Sequence, residues 1–301
     1  MLTSGISFVN FKKKNKSLKL RKNLQSIIND KNEILNSLSK NYKDSYKKNL
    51  INKYKAFSNY RIIGMGGSIL GTRTIYEFLQ HKIKKNFLFI DNLQNTLSQI
   101  KKKTVNIIVS KSGNTIETIT NSNIIIKKNN RNIFVTENKK NYLYRLAENL
   151  KGEIVHHNNY IGGRYSVLSE VGMLPAELMG LKSKNFRQFN SLIKNRRFLN
   201  SLITNVGSIL YYIKNRKFNS IIINYDEKSE SLFKWYQQLV AESLGKKKKG
   251  LLPIVSNMPK DNHSVMQLYL DGIQNNFYTF FYVDEKKSKK LNNRIILPSH
   301  K

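Results

Sequence analysis

Apolar residues follow two different patterns along the chain, and the pattern changes near residue 60. Up to about residue 58, lysine-rich stretches carry apolar residues near helical spacing, which predicts amphipathic helices that cover a core. From residue 61 onward, short apolar runs alternate with helical ones. Strands that alternate with helices indicate a parallel sheet with helices on both faces, so the predicted fold class is α/β.

The first α/β unit contains four predicted strands, "YRIIGMGG", "NFLFIDN", "VNIIVS" and "RNIFVTEN". The segments "SILGTRTIYEFLQ" and "IETITNSNIIIKK" between them have helical spacing. "GGRYSVLSEVGMLPAELMGL" at residues 162–181 predicts a loop and then a helix that leads out of the unit. We expect Pro175 to bend or restart this helix, because proline lacks the amide proton that a helix interior uses.

A long helical stretch over residues 185–212 leads into a second α/β unit. This unit contains the predicted strands "NSIIINYDE" and "FYTFFYVDE", an apolar "GLLPIVS" and the helices "SLFKWYQQLVAESLGK" and "HSVMQLYLDGI". After residue 286 there is a lysine-rich loop with a short apolar "RIILP". The sequence therefore predicts an N-terminal helical extension over residues 1–58, a first domain over 59–180 and a second over 181–301.

Composition excludes several classes of protein. The chain has 301 residues, of which 40% are hydrophobic, so it is long enough for a globular core and for two domains. It contains no uninterrupted apolar stretch of about 18 residues and no basic leader before an apolar core, so we expect neither a membrane partner nor secretion. The absence of cysteine excludes disulfides, thiolate metal sites and a cysteine nucleophile. We therefore expect a cytoplasmic protein.

The net charge is strongly positive. Lys and Arg number 53 against 19 Asp and Glu, which gives a formal net charge of +34. A nucleic-acid partner is one interpretation of this charge. A coding bias toward AT-rich codons, which specify Lys, Asn and Ile, is the other, and the even spread of basic residues favours it. We therefore expect no specific nucleic-acid partner, although the positive field attracts anionic substrates such as sugar phosphates.

Two loops between a predicted strand and a predicted helix have residues suited to phosphate. The first, "GMGGSILG", is rich in glycine, and the second, "SKSGNT", offers the hydroxyls of Ser110, Ser112 and Thr115. Free amides at a helix N-terminus favour an anion. Ser68 would either donate its hydroxyl to the anion or act as the N-cap of the helix. The alternatives for the first loop are a dinucleotide site and a tight turn packed against a neighbouring helix, and the alternative for the second is a hydroxyl-rich N-cap with Glu117 in the first turn. Open α/β sheets bind ligands at the carboxyl ends of their strands, so two such loops together favour phosphate binding.

The helix "FKWYQQLVAESLGK" supplies a candidate general base. Glu242 follows Gln238 by four residues, which places both side chains on one face. Apolar neighbours in the helix would partly desolvate the Glu242 carboxylate and raise its pKa toward the range of a base. The alternative is a solvated glutamate paired with Lys246, and spacing alone does not exclude it.

Two further residues are candidates for chemistry. His263 lies at a predicted junction between loop and helix, which suits proton transfer, although a lone histidine is often structural. Arg164 follows two glycines in "IGGRYS", an arrangement that either aims a cation at a developing negative charge or anchors a loop.

Five segments resemble, in their order and spacing, the signatures of the glucose-6-phosphate isomerase family. They are "GMGGSILGTRTI", "SKSGNTIET", "GGRYSVLSEVGMLP", "WYQQLVAESLGK" and "KDNHSVMQLYLDG". The resemblance covers about residues 60–282. It implies two sugar isomerase (SIS) domains, each a parallel sheet flanked by helices, which meet around the active site.

The resemblance also implies how the substrate is held and converted. Gly67 and Ser68 would line the approach of the sugar, and the phosphate would bind Ser110, the Lys111 backbone, Ser112 and Thr115. The substrates implied are glucose 6-phosphate and fructose 6-phosphate.

For the reaction itself, the resemblance implies that Glu242 moves a proton between C2 and C1 through a cis-enediolate. Arg164 would stabilise the enediolate, and Gln238 would form a hydrogen bond nearby. His263 would help to open the sugar ring and would reach in from the neighbouring subunit, which implies a homodimer. This chemistry uses no metal and no organic cofactor, so we expect none.

The family continues into a C-terminal helix whose lysine assists ring opening and whose nearby glutamine contacts phosphate. No segment up to residue 301 resembles that helix, so we assign the role to no lysine, Lys290 and Lys301 included. We accordingly expect the second domain to be incomplete at its C-terminus.

Three functional hypotheses follow from the sequence. The first is an aldose–ketose isomerase of glycolysis and gluconeogenesis. The second is a non-catalytic or impaired SIS protein that binds sugar phosphates, against which the presence of Glu242 argues. The third, a nucleic-acid binder, depends only on the net charge.

Overall fold

The structure, a computed structural model, describes residues 18–93 and 103–283 of the chain. The apolar segment at residues 294–298 lies outside the described residues, as do Lys290, Lys301 and the first 17 residues of the predicted N-terminal extension. The described strands are β1 (Asn59–Gly64), β2 (Asn86–Ile90), β3 (Thr104–Val109), β4 (Arg131–Glu137), β5 (Glu153–His157), β6 (Asn219–Asn224), β7 (Leu252–Asn257) and β8 (Asn276–Phe281). The described α-helices are α1 (Leu18–Asn29), α2 (Glu33–Ser37), α3 (Lys48–Tyr54), α4 (Leu70–Phe78), α5 (Ile116–Ile125), α6 (Tyr142–Asn149), α7 (Glu170–Leu178), α8 (Phe189–Leu192), α9 (Arg196–Lys214), α10 (Glu230–Leu244) and α11 (Met266–Asp271).

The first sheet has the strand order β2-β1-β3-β4-β5, and all its strands are parallel. Its central strands are buried on both faces, as a parallel sheet covered by helices requires. The four strands predicted in this unit are confirmed. The sequence analysis identified neither α6 nor the edge strand β5, which is short and carries Glu153, His156 and His157 in a run of five.

The second sheet has the order β7-β6-β8 and is also parallel. One face of it packs on α9, where the rings of Tyr212 and Phe277 stack with their centroids 4.9 Å apart. On the other face, Ile221 and Ile223 form a small core with Met258. The fold is therefore α/β with two parallel sheets, as the sequence predicts.

The predicted long helix over residues 185–212 is wrong in its bounds. The structure has two helices there, the short α8 and the long α9. They separate at Asn195, whose side chain accepts a hydrogen bond from the Phe198 amide at 3.1 Å and so forms the N-cap of α9. The helix predicted over "HSVMQLYLDGI" is also shorter than expected, since α11 begins at Met266.

Pro175 neither starts nor interrupts its helix. It lies inside α7, which begins five residues earlier at Glu170. Because proline has no amide proton, the carbonyl of Val171 loses its partner within the helix. The Thr72 hydroxyl of α4 donates to that carbonyl at 3.3 Å, so a neighbouring helix satisfies the group that Pro175 leaves free.

The N-terminal helices pack on the core of the first unit and on α9, and the predicted extension over residues 1–58 stays a prediction. Tyr54 of α3 is buried in the main core, and its carbonyl accepts a hydrogen bond from the Tyr60 hydroxyl of β1 at 2.8 Å. Helix α1 lies on α9, where Arg21 donates to the side chain of Asn200 at 2.7 Å. This part of the chain therefore contacts elements of both units.

The two units contact each other through α10. This helix precedes β7 in the second unit, yet it packs against α4 of the first unit and against the loop after β5. The boundary near residue 180 stays a prediction. Among the described residues, no helix is long and apolar enough to cross a membrane.

Candidate active site

The glycine-rich loop after β1 forms a 3₁₀ turn at Gly66–Ser68 and then enters α4. Gly66 has a φ of +51°, a conformation that a residue with a side chain rarely adopts. The side-chain amide of Gln238 lies close to Gly66. A β-carbon on Gly66 would be only 3.0 Å from Gln238 Nε2, so the contact leaves little room for a side chain there. Ser68 is not the N-cap of α4; that position belongs to Ile69, since the 3₁₀ turn delays the start of the helix.

Gly67 allows a close approach between two backbone segments. A β-carbon at this position would lie 2.2 Å from the carbonyl carbon of Gly163 and 2.4 Å from the amide nitrogen of Arg164. Ser166 joins the same segments, since its hydroxyl is 2.7 Å from the Gly163 carbonyl oxygen and 3.3 Å from that of Gly67. The loop is therefore packed against the segment that carries Arg164. A role for Gly67 and Ser68 toward a substrate stays a prediction.

The loop after β3 is closed by its own hydroxyls. Ser110, which is buried, accepts a hydrogen bond from the Gly113 amide at 3.2 Å and lies 2.9 Å from the Thr115 hydroxyl. Thr115 is the N-cap residue of α5, and its side chain makes no cap hydrogen bond. The amides of the first turn of α5 consequently face the loop with helix-dipole polarity that favours an anion. Ser112 is exposed and accepts from the Asn114 amide at 3.3 Å.

Gly113 and Lys111 attach this loop to its surroundings. Gly113 has a φ of +65°, and a β-carbon there would lie 2.0 Å from Asn141 Oδ1. The Lys111 carbonyl accepts from the Glu137 amide at 3.1 Å, and its ammonium group donates to the Asn159 carbonyl at 2.7 Å. The loop is thus joined both to β4 and to the segment that precedes Gly163.

The two loops start side by side. Gly64 and Val109 are register partners in the β1–β3 ladder, and each is the last residue of its strand. Both loops therefore lie at the carboxyl edge of the first sheet, where open α/β sheets bind ligands.

Glu242 and Arg164 form an ion pair between α10 and the loop after β5. Arg164 Nη1 lies 2.8 Å from Glu242 Oε1, and the Glu242 side chain is 52% exposed. The expected desolvation of Glu242 by its apolar neighbours is wrong, since more than half of its side chain is exposed. The alternative of a solvated glutamate is correct in this exposure, but the partner is Arg164 and not Lys246, because the Arg164 segment lies against this face of α10. The prediction that Gln238 and Glu242 lie on one face of the helix is confirmed, since Gln238 Nε2 donates a hydrogen bond to Glu242 Oε2 at 3.2 Å. Gln238 Oε1 is buried and has no hydrogen-bond partner among the described residues.

Three residues that the sequence analysis did not select hold Arg164. Arg164 Nε donates to the Ser243 hydroxyl at 2.9 Å, and Trp235 Nε1 donates to the Arg164 carbonyl at 3.0 Å. The guanidinium lies over the Tyr165 ring at 4.5 Å, within range of a cation–π interaction. Burial acts to raise the pKa of Tyr165, but hydrogen bonds with Ser243 and Arg164 and the charge of Arg164 outweigh it and lower that pKa. In the sequence, the hydroxyl residue Ser243 directly follows the candidate base Glu242, and this position would have indicated it as a candidate site residue.

His263 is not brought to this cluster. It is exposed at the end of the 3₁₀ turn Lys260–Asn262. Within the part of the chain that the structure describes, no hydrogen bond or ion pair joins it to Glu242 or Arg164. Its predicted role in ring opening stays a prediction.

A cavity of 1070 Å³ lies between α4 and α10, and Gly66 and Gln238 are among the residues that line it. Its walls carry both signs of charge, including the ion pair of Arg73 with Asp91 at 2.9 Å. The described residues bring together no group of three His, Asp or Glu side chains suited to a metal ion.

Comparison with known proteins identifies the family. The family described as phosphoglucose isomerase matches residues 14–251, which include both loops, Arg164, Gln238 and Glu242. The chain belongs to this family. A glucose-6-phosphate isomerase of Methanocaldococcus jannaschii is 37% identical over 255 residues, which cover 78% of this chain and 63% of the relative. One of Campylobacter jejuni is 29% identical over 247 residues, covering 75% and 61%. The chain thus spans about three fifths of the length of these curated relatives.

Solved structures confirm the SIS-type fold. A hypothetical protein from Thermus thermophilus superposes with a TM-score of 0.66 at 23% identity, over 88% of this chain and 69% of the other. A glucose-6-phosphate isomerase from Chlamydia trachomatis superposes with a TM-score of 0.63 at 20% identity, over 82% and 57%. Family membership and fold are therefore established independently of the roles of single residues.

Proposed function

We propose that this protein interconverts glucose 6-phosphate and fructose 6-phosphate. The observation that carries the proposal is the ion pair between Glu242 of α10 and Arg164, which lies on the segment that packs against the glycine-rich loop. A carboxylate beside a fixed guanidinium provides a base and a stabilising cation for one proton transfer. Membership of the family, whose curated relatives are named glucose-6-phosphate isomerases, supports the same reaction.

In the proposed mechanism, Glu242 takes the proton from C2 of the open-chain aldose and returns it to C1. The electron pair left by the C2 proton forms the C1–C2 double bond of the cis-enediolate, and the C1 carbonyl oxygen becomes the negative oxygen that Arg164 stabilises. The hydroxyl proton on O2 then moves to O1 as Glu242 returns its proton to C1, so C2 becomes the carbonyl of the ketose. Gln238 hydrogen-bonds to the base and offers its buried, unpartnered Oε1 to a substrate hydroxyl. These steps require a base and a cation, so the proposed mechanism includes neither a metal nor an organic cofactor.

We further propose that the phosphate of the substrate binds at the loop after β3. Ser110, the Lys111 backbone, Ser112 and Thr115 would hold it at the N-terminus of α5, where amides and dipole favour a dianion. Gly67 and Ser68 would line the path of the sugar. The buried position of Ser110 and its contact with Thr115 support a fixed site at this place.

The proposal extends to assembly and location. We propose a homodimer in which His263 of one chain assists ring opening in the other, and the exposure of His263 supports this. We also propose a cytoplasmic location, where glycolysis and gluconeogenesis would supply both sugar phosphates. The division into an extension over residues 1–58 and domains over 59–180 and 181–301 belongs to the same proposal.

A coupled isomerase assay on the 301-residue chain tests the proposed reaction. Glu242→Gln should lower kcat by about 10²- to 10⁴-fold, the range expected for loss of a general base. Glu148→Gln, which changes an exposed glutamate of α6, is the matched control and should keep full activity. Equal rates for Glu242→Gln and the parent chain would overturn the assigned mechanism.

Calorimetry separates the remaining possibilities. Tight binding of glucose 6-phosphate without turnover by the parent chain would favour the alternative hypothesis, a sugar-phosphate-binding protein without catalysis. Absence of both binding and turnover would overturn the proposed function of this chain.

A further inference from the structure

The guanidinium of Arg164 is held along two separate edges. Nε donates to the Ser243 hydroxyl at 2.9 Å, and Nη1 donates to Glu242 Oε1 at 2.8 Å. Neighbouring residues of a helix point about 100° apart, so Glu242 and Ser243 reach Arg164 from two directions. Neither of these two bonds uses the third nitrogen, Nη2.

These two contacts differ in what the proposed reaction requires of them. Glu242 must leave Arg164 in order to remove a proton from the substrate, so the Nη1 contact is exchanged during turnover. Arg164 must nevertheless stay in place, because a cation stabilises a developing charge best when it needs no reorganisation. The Nε contact with Ser243 is independent of the Glu242 carboxylate and can persist throughout.

Ser243 is itself fixed by Tyr165. The Tyr165 hydroxyl lies 2.7 Å from the Ser243 hydroxyl, and the Tyr165 ring lies beneath the guanidinium. The Trp235 indole holds the backbone of Arg164 at the same point. Tyr165 and Trp235 also line an apolar cavity of 440 Å³, so these two anchors are packed among apolar side chains.

We propose that Ser243 is a positioning residue for Arg164, and that it keeps the guanidinium in place while Arg164 exchanges Glu242 for the negative oxygen of the substrate. The inference rests on the proposed function for its kinetic consequence. The anchoring itself is a property of the unliganded protein and is measurable without turnover.

A direct test follows the Nε–H proton of Arg164 by NMR in the full chain labelled with ¹⁵N-arginine, with Arg164→Lys to assign the signal. A hydrogen-bonded Nε–H exchanges slowly with water. We expect the slow signal to persist in Glu242→Gln, to be lost in Ser243→Ala and to return in Ser243→Thr, which restores a hydroxyl. Loss in Glu242→Gln together with retention in Ser243→Ala would overturn the proposal.

A kinetic test uses the same variants. Ser243→Ala should lower kcat about tenfold, because a misplaced Arg164 stabilises the transition state less well. KM should stay within about twofold, because the loop after β3 still binds the phosphate of the substrate. Ser243→Thr should recover most of the rate. Ser201→Ala, which removes a helix hydroxyl of α9 bonded to the Arg197 carbonyl, is the matched control. Unchanged kcat in Ser243→Ala would overturn the positioning role.

The two tests distinguish the failure of one proposal from that of the other. A parent chain without isomerase activity would count against the proposed function, and the Nε–H signal would still decide whether Ser243 anchors Arg164. An active parent chain with a Ser243-independent Nε–H signal would count against the anchoring alone.

Discussion

Gly67 lies against the peptide that joins Gly163 to Arg164, so closely that a β-carbon on Gly67 would be 2.2 Å from the Gly163 carbonyl carbon. Two loops that are far apart in sequence are therefore in backbone contact at the carboxyl edge of the first sheet. The position of Arg164, and with it the ion pair to Glu242, depends on the absence of a side chain at residue 67.

Replacing Gly67 by alanine should displace the Arg164 segment. We expect a loss of about 1–3 kcal/mol in the free energy of unfolding, the usual cost of inserting a carbon into a packed site. Urea denaturation measures this loss, and isomerase assays should show a lower kcat. Gly162→Ala is the matched control, since its β-carbon would meet only the Tyr165 ring at 3.6 Å, an ordinary contact. Equal stabilities of the two variants would contradict the expected role of Gly67.

Ser110→Ala should weaken the binding of sugar phosphate. The substitution removes a buried hydroxyl that accepts from the Gly113 amide and contacts Thr115, so the loop loses its fixed shape. Hydrogen bonds to charged groups contribute about 1.5–3 kcal/mol, and we expect affinity for glucose 6-phosphate to fall at least about tenfold. Calorimetric titration checks this. Ser122→Ala, which removes a buried hydroxyl of α5 bonded to the Thr118 carbonyl, should leave the affinity unchanged.

Glu170 should make stability depend on pH in the acid range. It is buried, which acts to raise its pKa, but its hydrogen bonds with His157 and with the Asn158 amide outweigh burial and lower that pKa. The folded state then binds fewer protons than the unfolded state, in which a glutamate titrates near 4.5. This contribution to stability is present above that pH and is lost as the pH falls through the lower folded pKa.

Glu170→Gln checks the acid prediction. At pH 7 we expect a loss of about 3–5 kcal/mol, because the variant breaks a buried, hydrogen-bonded network that also includes the Tyr42 hydroxyl at 3.0 Å. Urea denaturation between pH 7 and pH 3 should show a smaller loss of stability with falling pH in this variant than in the parent. A pH dependence identical to that of the parent would contradict the assignment to Glu170. Glu148→Gln serves as the surface control.

The turn after α10 should tolerate a stabilising double substitution. Lys246 and Lys249 pair across it, and the two central residues, Lys247 and Lys248, have φ values of +54° and +58°. Positive φ at both central positions is typical of a type I′ turn, which favours Asn-Gly. Lys247→Asn with Lys248→Gly should raise the free energy of unfolding by about 1 kcal/mol, since a left-handed conformation is costly for lysine and readily adopted by these residues.

A charge control accompanies this prediction. Lys247→Gln with Lys248→Gln removes the same two charges without relieving the backbone. Thermal or urea unfolding that shows the same gain in both double variants would assign the effect to charge repulsion and contradict the conformational explanation.

Some features of the fold were predictable because they depend on local pattern. The central strands β1 and β3 are short apolar runs bounded by loop residues, and a strand buried on both faces requires such a run. The edge strand β5 lacks this signal, because Glu153 and His156 in it remain accessible to solvent. The spacing of apolar residues did not predict the break between α8 and α9 either, because a single N-cap residue, Asn195, determines it.

The candidate site divides in the same way. Helical spacing placed Gln238 and Glu242 on one face, and the structure confirms their contact. The pairing of Glu242 with Arg164, rather than with Lys246, joins residues 78 positions apart and depends on how α10 packs against the first unit. Ser243 and Tyr165 acquire a role only through that packing.

By itself, the sequence determined the fold class, the two loops at strand ends and the family, because each depends on the order of residues within short segments. The tertiary structure decided which partner Glu242 takes, what occupies the space beside Gly67 and which side chains hold Arg164. These contacts form between segments that no local pattern relates. They arise when α10 of the second unit packs onto the first, because burial of apolar surface between the units brings their polar edges together.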